Sequence, residues 1–193
     1  PVPHPGDGER VVARIGDRTL TVRALDHRVD CIGYRLQEDD GLRMLPDRLE
    51  AAGIRGPRIR DLIRTGELEV EGRRVQLAEV SEQRRGQSFA LVMDTRPCEG
   101  ARRLAEGADL LVCESTYLET ERQEAHDHHH MTAAQAGLLA HEAGARRLVL
   151  THFSQRYGGS SPFAQEARAH HDDVVAANDL TVVAVPKREL DIH

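Results

Sequence analysis

Short runs of alternating apolar and polar residues open the chain and predict antiparallel β structure. Residues 10–15 and 19–27 are two such runs, and residues 16–18 (Gly-Asp-Arg) between them are typical of a hairpin turn. A third strand is predicted over 31–38, where apolar side chains recur at every second position. The N-terminal part of the chain is therefore predicted to form a small sheet.

The segment 39–75 breaks this alternation. It is rich in Gly and Pro, which argues against a core element, so we predict an inserted arm with at most short helices. Four of its arginines lie close to one Gly-Pro pair. This arginine cluster, with the pair included, consists of Arg55, Gly56, Pro57, Arg58, Arg60 and Arg64. Guanidinium groups pair with phosphate in a forked geometry, so this cluster suits a polyanion. An ordinary charged loop explains the same residues, and both interpretations stay open.

After residue 86 the pattern changes to apolar strands that alternate with helices. Strands are predicted over 88–93, 109–113, 147–151 and 181–185, and helices over 97–106, 132–143 and 163–177. Thr132 is placed to begin its helix and Gly144 to end it. Alternation of this kind predicts an α/β fold with a layered sheet.

Composition narrows the setting without naming a function. The chain has 193 residues, a formal net charge of −6 and three cysteines. The length suits one domain or a piece of a larger one, and the first residue, Pro1, suggests a piece. No apolar run approaches the ~18 residues of a membrane span, and residues 1–30 show no signal-peptide pattern. Few cysteines favour a reducing compartment, so we predict a cytoplasmic protein.

Three candidate ligands share one placement, immediately after an apolar strand. They are His27, Asp94 and His152. Side chains at strand ends project into the loops where functional groups of α/β folds collect. Imidazole and carboxylate are ligands that Zn²⁺ accepts. For each residue taken alone, a polar residue that ends a strand is the favoured interpretation, and Asp94 in particular could form a turn.

A histidine-rich tract occupies residues 125–132, with four histidines and one aspartate in eight positions. Such tracts suggest metal binding, but for His126, His128 and His129 we favour a solvated loop. His130 differs because it lies just before a predicted helix, where an imidazole could act as acid or base. The pair His170-His171 is predicted to be exposed.

With these residues in view, the sequence resembles ribonuclease Z, the tRNA 3′-end endonuclease family of the metallo-β-lactamase superfamily. The matching segments run in family order over nearly the whole chain. They are LDHRV (25–29), GYRLQE (33–38), the segment 53–67, VMDTRP (92–97), CESTYLE (113–119), HMTAAQA (130–136) and LTHFSQRY (150–157).

The resemblance implies an αββα sandwich and assigns roles to the candidate residues. His27 is similar to one metal-binding histidine, Asp94 to the aspartate that bridges two zinc ions, and His152 to the final ligand. His130 matches the histidine that assists the leaving group as a proton donor. The segment 39–75, with its arginine cluster, is similar to the family's inserted tRNA-binding arm. The implied function is zinc-dependent removal of the 3′ trailer of precursor tRNA by metal-activated water, in a homodimer.

One family feature is missing. The motif His-x-His-x-Asp-His, which supplies most ligands of the first zinc, does not occur, and its lookalike at 126–130 lies in the wrong place. Its expected position is upstream of residue 1, so we expect residues 1–193 to be the C-terminal part of one metallo-β-lactamase-like domain, with the N-terminal portion of the sandwich absent. A natural protein without the motif is the alternative.

Three ligands are too few for two metal ions, so we expect this chain alone to hold zinc weakly and to cleave little. Two other functions stay open. One is a non-catalytic RNA-binding fragment that uses the arginine arm, and the other is a different phosphodiesterase of the same fold.

Overall fold

The computed structural model describes residues 5–6 and 8–187 and divides them into two compact units. The first unit holds the chain up to Asp39 and from Gln87 onward, and the second is Asp40–Gly86. The strands are β1 (Glu9–Ile15), β2 (Arg18–Leu25), β3 (Cys31–Glu38), β4 (Gly41–Met44), β5 (Glu67–Val70), β6 (Arg73–Gln76), β7 (Ser81–Arg84), β8 (Ser88–Val92), β9 (Leu110–Glu114), β10 (Leu148–Thr151) and β11 (Val174–Ala176). The helices are α1 (Pro46–Ala51), α2 (Pro57–Thr65), α3 (Leu77–Val80), α4 (Glu99–Ala105), α5 (Arg122–Asp127), α6 (Ala133–Glu142) and α7 (Ser161–Ala167).

The first unit is built on a seven-stranded sheet in the order β1-β2-β3-β8-β9-β10-β11. Strands β1, β2, β3 and β8 pair antiparallel, whereas β8, β9, β10 and β11 pair in parallel. Parallel strands end at one common edge of a sheet. The residues that follow β8, β9 and β10 are therefore brought together, although they are far apart in sequence.

Helices α4, α6 and α7 cover the apolar core of this unit. Leu104, Leu111, Leu148 and Phe163 are fully buried in it. Helix α6 begins as predicted, because the Thr132 hydroxyl accepts a hydrogen bond from the backbone N–H of Gln135 and the Gln135 side-chain oxygen accepts one from the backbone N–H of Thr132. In the part of the chain that the structure describes, no helix is long and apolar enough to cross a membrane.

Helix α4 packs tightly against the end of β2, which leads into the His27 loop. The close approach requires Gly100, since a Cβ atom at this position would lie 1.9 Å from the carbonyl oxygen of Ala24. Any larger residue would have to push α4 away from the strand.

The sequence predicted an arm without a core element, and the second unit shows that this expectation is wrong. Helices α1 to α3 are short, as predicted, but they enclose a small core together with two two-stranded sheets, β4-β7 and β5-β6. The buried residues are Leu49, Ile54, Leu62, Val70, Val75 and Val80. The Gly and Pro residues mark element ends instead: Pro57 lies in the first turn of α2, and Gly66 ends that helix with φ 79°.

The C-terminal prediction is also wrong. The helix predicted over 163–177 ends at Ala167, and Val174–Ala176 forms β11 beside β10. Two adjacent β-branched valines favour a strand, and the ion pair of Arg147 with Asp173 anchors its start. The strand predicted over 181–185 is not present, because β11 already occupies that edge of β10.

The core of the second unit can be tested with two neighbouring residues. Leu62 is fully buried in α2, whereas the side chain of Ile63 beside it is 48% exposed. We expect Leu62→Ala to lower the free energy of unfolding of this unit by about 2–5 kcal/mol, because it leaves a cavity. Ile63→Ala should change it by less than about 0.5 kcal/mol. Urea unfolding of both variants measures the difference, and equal small effects would contradict the packed core.

Candidate metal centre

Three side chains meet at the carboxyl edge of the parallel strands. Asp94 follows β8, His152 follows β10, and His130 precedes α6. Each offers one potential ligand atom, and these atoms all lie within 4.8 Å of one another. His152 Nε2 lies 3.1 Å from Asp94 Oδ1. Three sequence-distant groups therefore converge as the strand-end argument predicted for Asp94 and His152.

The backbone is strained at both strand ends. Asp94 has φ 50° and His152 has φ 60°, in the left-handed region that residues with a Cβ atom rarely adopt. Such conformations cost about 1–3 kcal/mol each and cluster at functional sites. Here they turn the chain sharply after each strand, so that both side chains reach the same point.

A buried carboxylate, Glu114, organises the floor of the site. Its side chain is completely buried at the end of β9. It accepts hydrogen bonds from the backbone N–H of Thr95 (2.5 Å) and of Met131 (3.0 Å), and from the Thr116 hydroxyl (2.7 Å). It also contacts His130 Nδ1 at 2.9 Å. One carboxylate thus connects the loops that carry Asp94 and His130.

Glu114 sets the charge of His130. The hydrogen bond that His130 donates to Glu114 raises the pKa of His130 above 6.5, and burial opposes this shift without cancelling it. A histidine must lose its proton to bind a metal, so a raised pKa disfavours His130 as a ligand. The same shift makes it a better proton donor near neutral pH.

The orientation of His152 is fixed by Thr116. The Thr116 hydroxyl donates its proton to Glu114 and therefore accepts one from His152 Nδ1, at 2.9 Å. In the neutral ring with this tautomer, Nε2 of His152 carries no proton and faces the Asp94 carboxylate. Two acceptors that face each other form an arrangement that a bound cation would satisfy, so the donor set fits a metal ion.

His27 lies beside this trio and is not part of it. Its ring centroid is 5.1 Å from that of His130, and its Nδ1 lies 3.2 Å from the backbone carbonyl of His129. Donation from Nδ1 to that carbonyl leaves Nε2 available. The metal-binding role of His27 stays a prediction.

The rest of the histidine-rich tract is only partly a solvated loop. His126 and His128 are exposed, as predicted, but the side chain of His129 is 25% exposed and lies 2.9 Å from Asp26 Oδ1. Burial alone would raise the pKa of Asp26, but hydrogen bonds from Arg96 and His129 lower it overall. The expectation for His129 is wrong, because this ion pair holds the tract against the His27 loop.

The prediction that both His170 and His171 are exposed is confirmed for only one of them. His170 is exposed, as predicted, whereas His171 is half-buried and its pKa is lowered by that burial. Its Nε2 atom is buried without a hydrogen-bond partner among the described residues. The prediction for His171 is wrong because the chain turns after α7 and covers the ring.

The sequence contained a signal for Glu114 that the candidate search missed. Glu114 ends the apolar run LLVCE, as Asp94 follows SFALVM. A search for every acidic residue at the end of an apolar strand would have found both.

Comparisons with known proteins agree with this geometry. A beta-lactamase superfamily domain matches residues 70–153. A protein named Ribonuclease Z from Salinispora arenicola is 54% identical over 95% of this chain and 59% of its own length. Ribonuclease Z from Streptomyces avermitilis is 51% identical over 95% of this chain and 60% of its own length. Ribonuclease Z from Chlamydia caviae is 43% identical over 96% of this chain and 61% of its own length. This chain is homologous to proteins named Ribonuclease Z. It spans about three fifths of the length of these relatives.

Solved structures confirm the α/β fold of the metallo-β-lactamase type. The metallo-beta-lactamase fold protein YhfI from Bacillus subtilis superposes with a TM-score of 0.54 at 20% identity, over 85% of this chain and 48% of that one. The short form of human tRNase Z gives a TM-score of 0.56 at 20% identity, over 93% and 47%. At this identity the likeness establishes the fold.

Proposed function

We propose that this ribonuclease Z homologue forms part of a metal-dependent endoribonuclease that removes the 3′ trailer of precursor tRNA. The observation that carries the proposal is the convergence of Asp94, His130 and His152 at one sheet edge, with ligand atoms within 4.8 Å. The named relatives, at up to 54% identity, support the choice of an RNA substrate.

Zinc suits the donor set best, because two imidazoles and a carboxylate are ligands that Zn²⁺ prefers. We propose that Asp94 and His152, together with His27 beside them, would hold the metal. A bound divalent cation would lower the pKa of water and neutralise charge that develops on the phosphate. Thr116 supports this site by fixing the ring of His152.

His130 is proposed as the general acid. The buried Glu114 carboxylate raises the pKa of its imidazole, and the ring lies beside the candidate ligands, with its centroid 5.4 Å from that of His152. A proton held there can pass to the oxygen that leaves when the phosphodiester is cut. Glu114 then remains paired with the ring and holds it in place for the next turnover.

The function can be tested with precursor tRNA that carries a 3′ trailer. We expect the full encoded protein to release the trailer, to lose this activity with a chelator, and to regain it with Zn²⁺. The chain of 193 residues alone should bind zinc weakly and cut at least ~100-fold more slowly. Mapping the product ends and measuring bound metal check both statements. Metal bound without any trailer release would contradict the proposed substrate.

The arginine cluster of α2 is proposed to bind tRNA. Arg55, Arg58, Arg60 and Arg64 are all exposed. Arg55 and Arg64 pair with Glu50 and Asp61, whereas Arg58 donates to a backbone carbonyl, that of Glu69. We further propose a homodimer, which the resemblance implies, in the cytoplasm, which the small number of cysteines favours.

A fourfold Arg→Gln variant at positions 55, 58, 60 and 64 separates cleavage from RNA positioning. We expect weaker tRNA affinity. The slope of log affinity against log salt concentration should fall in magnitude by up to about four, one for each lost phosphate contact. Cleavage of a small phosphodiester should persist. The matched control replaces four arginines of the first unit whose side chains are at least 43% exposed, Arg14, Arg18, Arg102 and Arg103. If both variants lose affinity equally, the cluster has no special role, and a non-catalytic RNA-binding fragment built on it is excluded as well.

A further inference from the structure

A row of aromatic rings leads away from the candidate metal centre. The ring centroids of Tyr117 and His130 are 6.2 Å apart. His128 lies next to Tyr117, with its ring centroid 6.4 Å from that of Tyr117. The rings of Tyr117 and His128 are nearly parallel, with an interplanar angle of 15°. His128 is exposed, so its ring is open to a further planar group.

Tyr117 is held rigidly behind His128. Its side chain is only 7% exposed, and its backbone pairs with the segment that starts α6, through Met131 and Ala133. The guanidinium carbon of Arg156 lies 5.1 Å from the Tyr117 ring centroid. A buried ring fixed in this way gives a stable base for stacking, because little side-chain entropy remains to be lost.

A free cation lies near the same row. Arg28 is exposed, has no carboxylate partner among the described residues, and directly follows His27, whose ring centroid is 5.1 Å from that of His130. A guanidinium group without an ion-pair partner is available for phosphate. The row therefore combines a planar surface with a phosphate-binding group.

We propose that His128, backed by Tyr117, stacks on one unpaired nucleobase of the RNA strand whose phosphodiester is held at Asp94, His130 and His152, and that Arg28 contacts a phosphate of that strand. The inference rests on the proposed function and adds to it a site for the nucleotide next to the cut. Stacking tolerates every base, because each has a planar face, so the platform positions the strand without selecting its sequence. Nothing in the proposed chemistry requires His128.

The chain contains no tryptophan, which makes the platform directly observable. His128→Trp places the sole indole of the chain at the proposed stacking position. With a chelator present, a single-stranded RNA of five adenosines should quench its fluorescence saturably. An abasic ribose-phosphate strand of equal length should bind at least about fivefold more weakly. His126→Trp is the matched control, because His126 is also exposed but its polar contacts go to Asp127 and Arg96.

Substitutions at the same residues give a second measurement. By fluorescence anisotropy of labelled RNA, His128→Ala should weaken binding about 5- to 150-fold, whereas His128→Phe, which keeps a ring, should stay within about twofold. Arg28→Gln should lower the salt slope by about one. Equal quenching of both tryptophan variants, or no difference between the Ala and Phe variants, would overturn the platform.

These outcomes are distinguishable from failure of the proposed function, since the binding assays need neither metal nor cleavage. Trailer cleavage without quenching of His128→Trp removes the platform alone. Quenching without any metal-dependent cleavage supports the platform and removes the proposed function.

Discussion

Replacing Glu114 with alanine is expected to lower the free energy of unfolding by about 3–5 kcal/mol and to remove trailer cleavage. The side chain is fully buried and accepts hydrogen bonds from two backbone N–H groups and from Thr116. Its loss leaves these donors unsatisfied at about 1–3 kcal/mol each, and His130 loses its partner. Urea unfolding and the precursor-tRNA assay measure the two effects.

The control and the conservative variant separate packing from charge. Glu106→Ala removes a carboxylate whose side chain is 61% exposed, and it should change stability by less than about 0.5 kcal/mol. Glu114→Gln keeps the shape but removes the charge, so it should lower the pKa of His130, which NMR titration of the metal-free protein detects. A stable Glu114→Ala protein with unchanged activity would show that Glu114 does not organise the site.

The sign of the pH dependence follows from the raised pKa of His130. A group whose pKa is higher in the folded state than in the unfolded state stabilises the protein at pH values below its unfolded-state pKa, here 6.5. This stabilisation is lost as the pH rises through the folded-state pKa. The part of the Glu114→Gln destabilisation that comes from His130 should therefore be largest below pH 6.5 and should disappear at higher pH.

Asp94→Asn is expected to reduce zinc affinity and trailer cleavage by at least ~100-fold in the full encoded protein. Substitutions of residues that only support metal ligands cost about 10- to 100-fold, and Asp94 is proposed to contact the metal itself. The fold should persist, because asparagine tolerates the left-handed backbone at φ 50° and the side chain is 45% exposed.

Metal content after dialysis and the rate of trailer release check this prediction. The matched control is Asp30→Asn, an exposed aspartate in the loop between β2 and β3, which should leave both unchanged. Full zinc occupancy and activity in Asp94→Asn would exclude Asp94 as a ligand and would remove the central residue of the proposed site.

Local sequence determined most elements of the first unit. The strands and helices predicted between residues 10 and 151 outside the arm match β1–β3, β8–β10, α4 and α6, because apolar periodicity and the Thr132 cap act over a few residues. The placement of Asp94 and His152 at strand ends followed from the same patterns. Short sequence motifs, such as LTHFSQRY, indicated the resemblance to ribonuclease Z. The roles of His27 and the arginine cluster are still predictions.

Tertiary structure decided what depends on partners distant in sequence. Val174–Ala176 is a strand because β10 offers an open edge, and the residues of Asp40–Gly86 bury a core because short elements pack on one another. Glu114 matters because its carboxylate, buried at one strand end, meets donors from three separate loops. Hydrogen bonds of this kind join residues that no local pattern relates, so only the folded chain shows them.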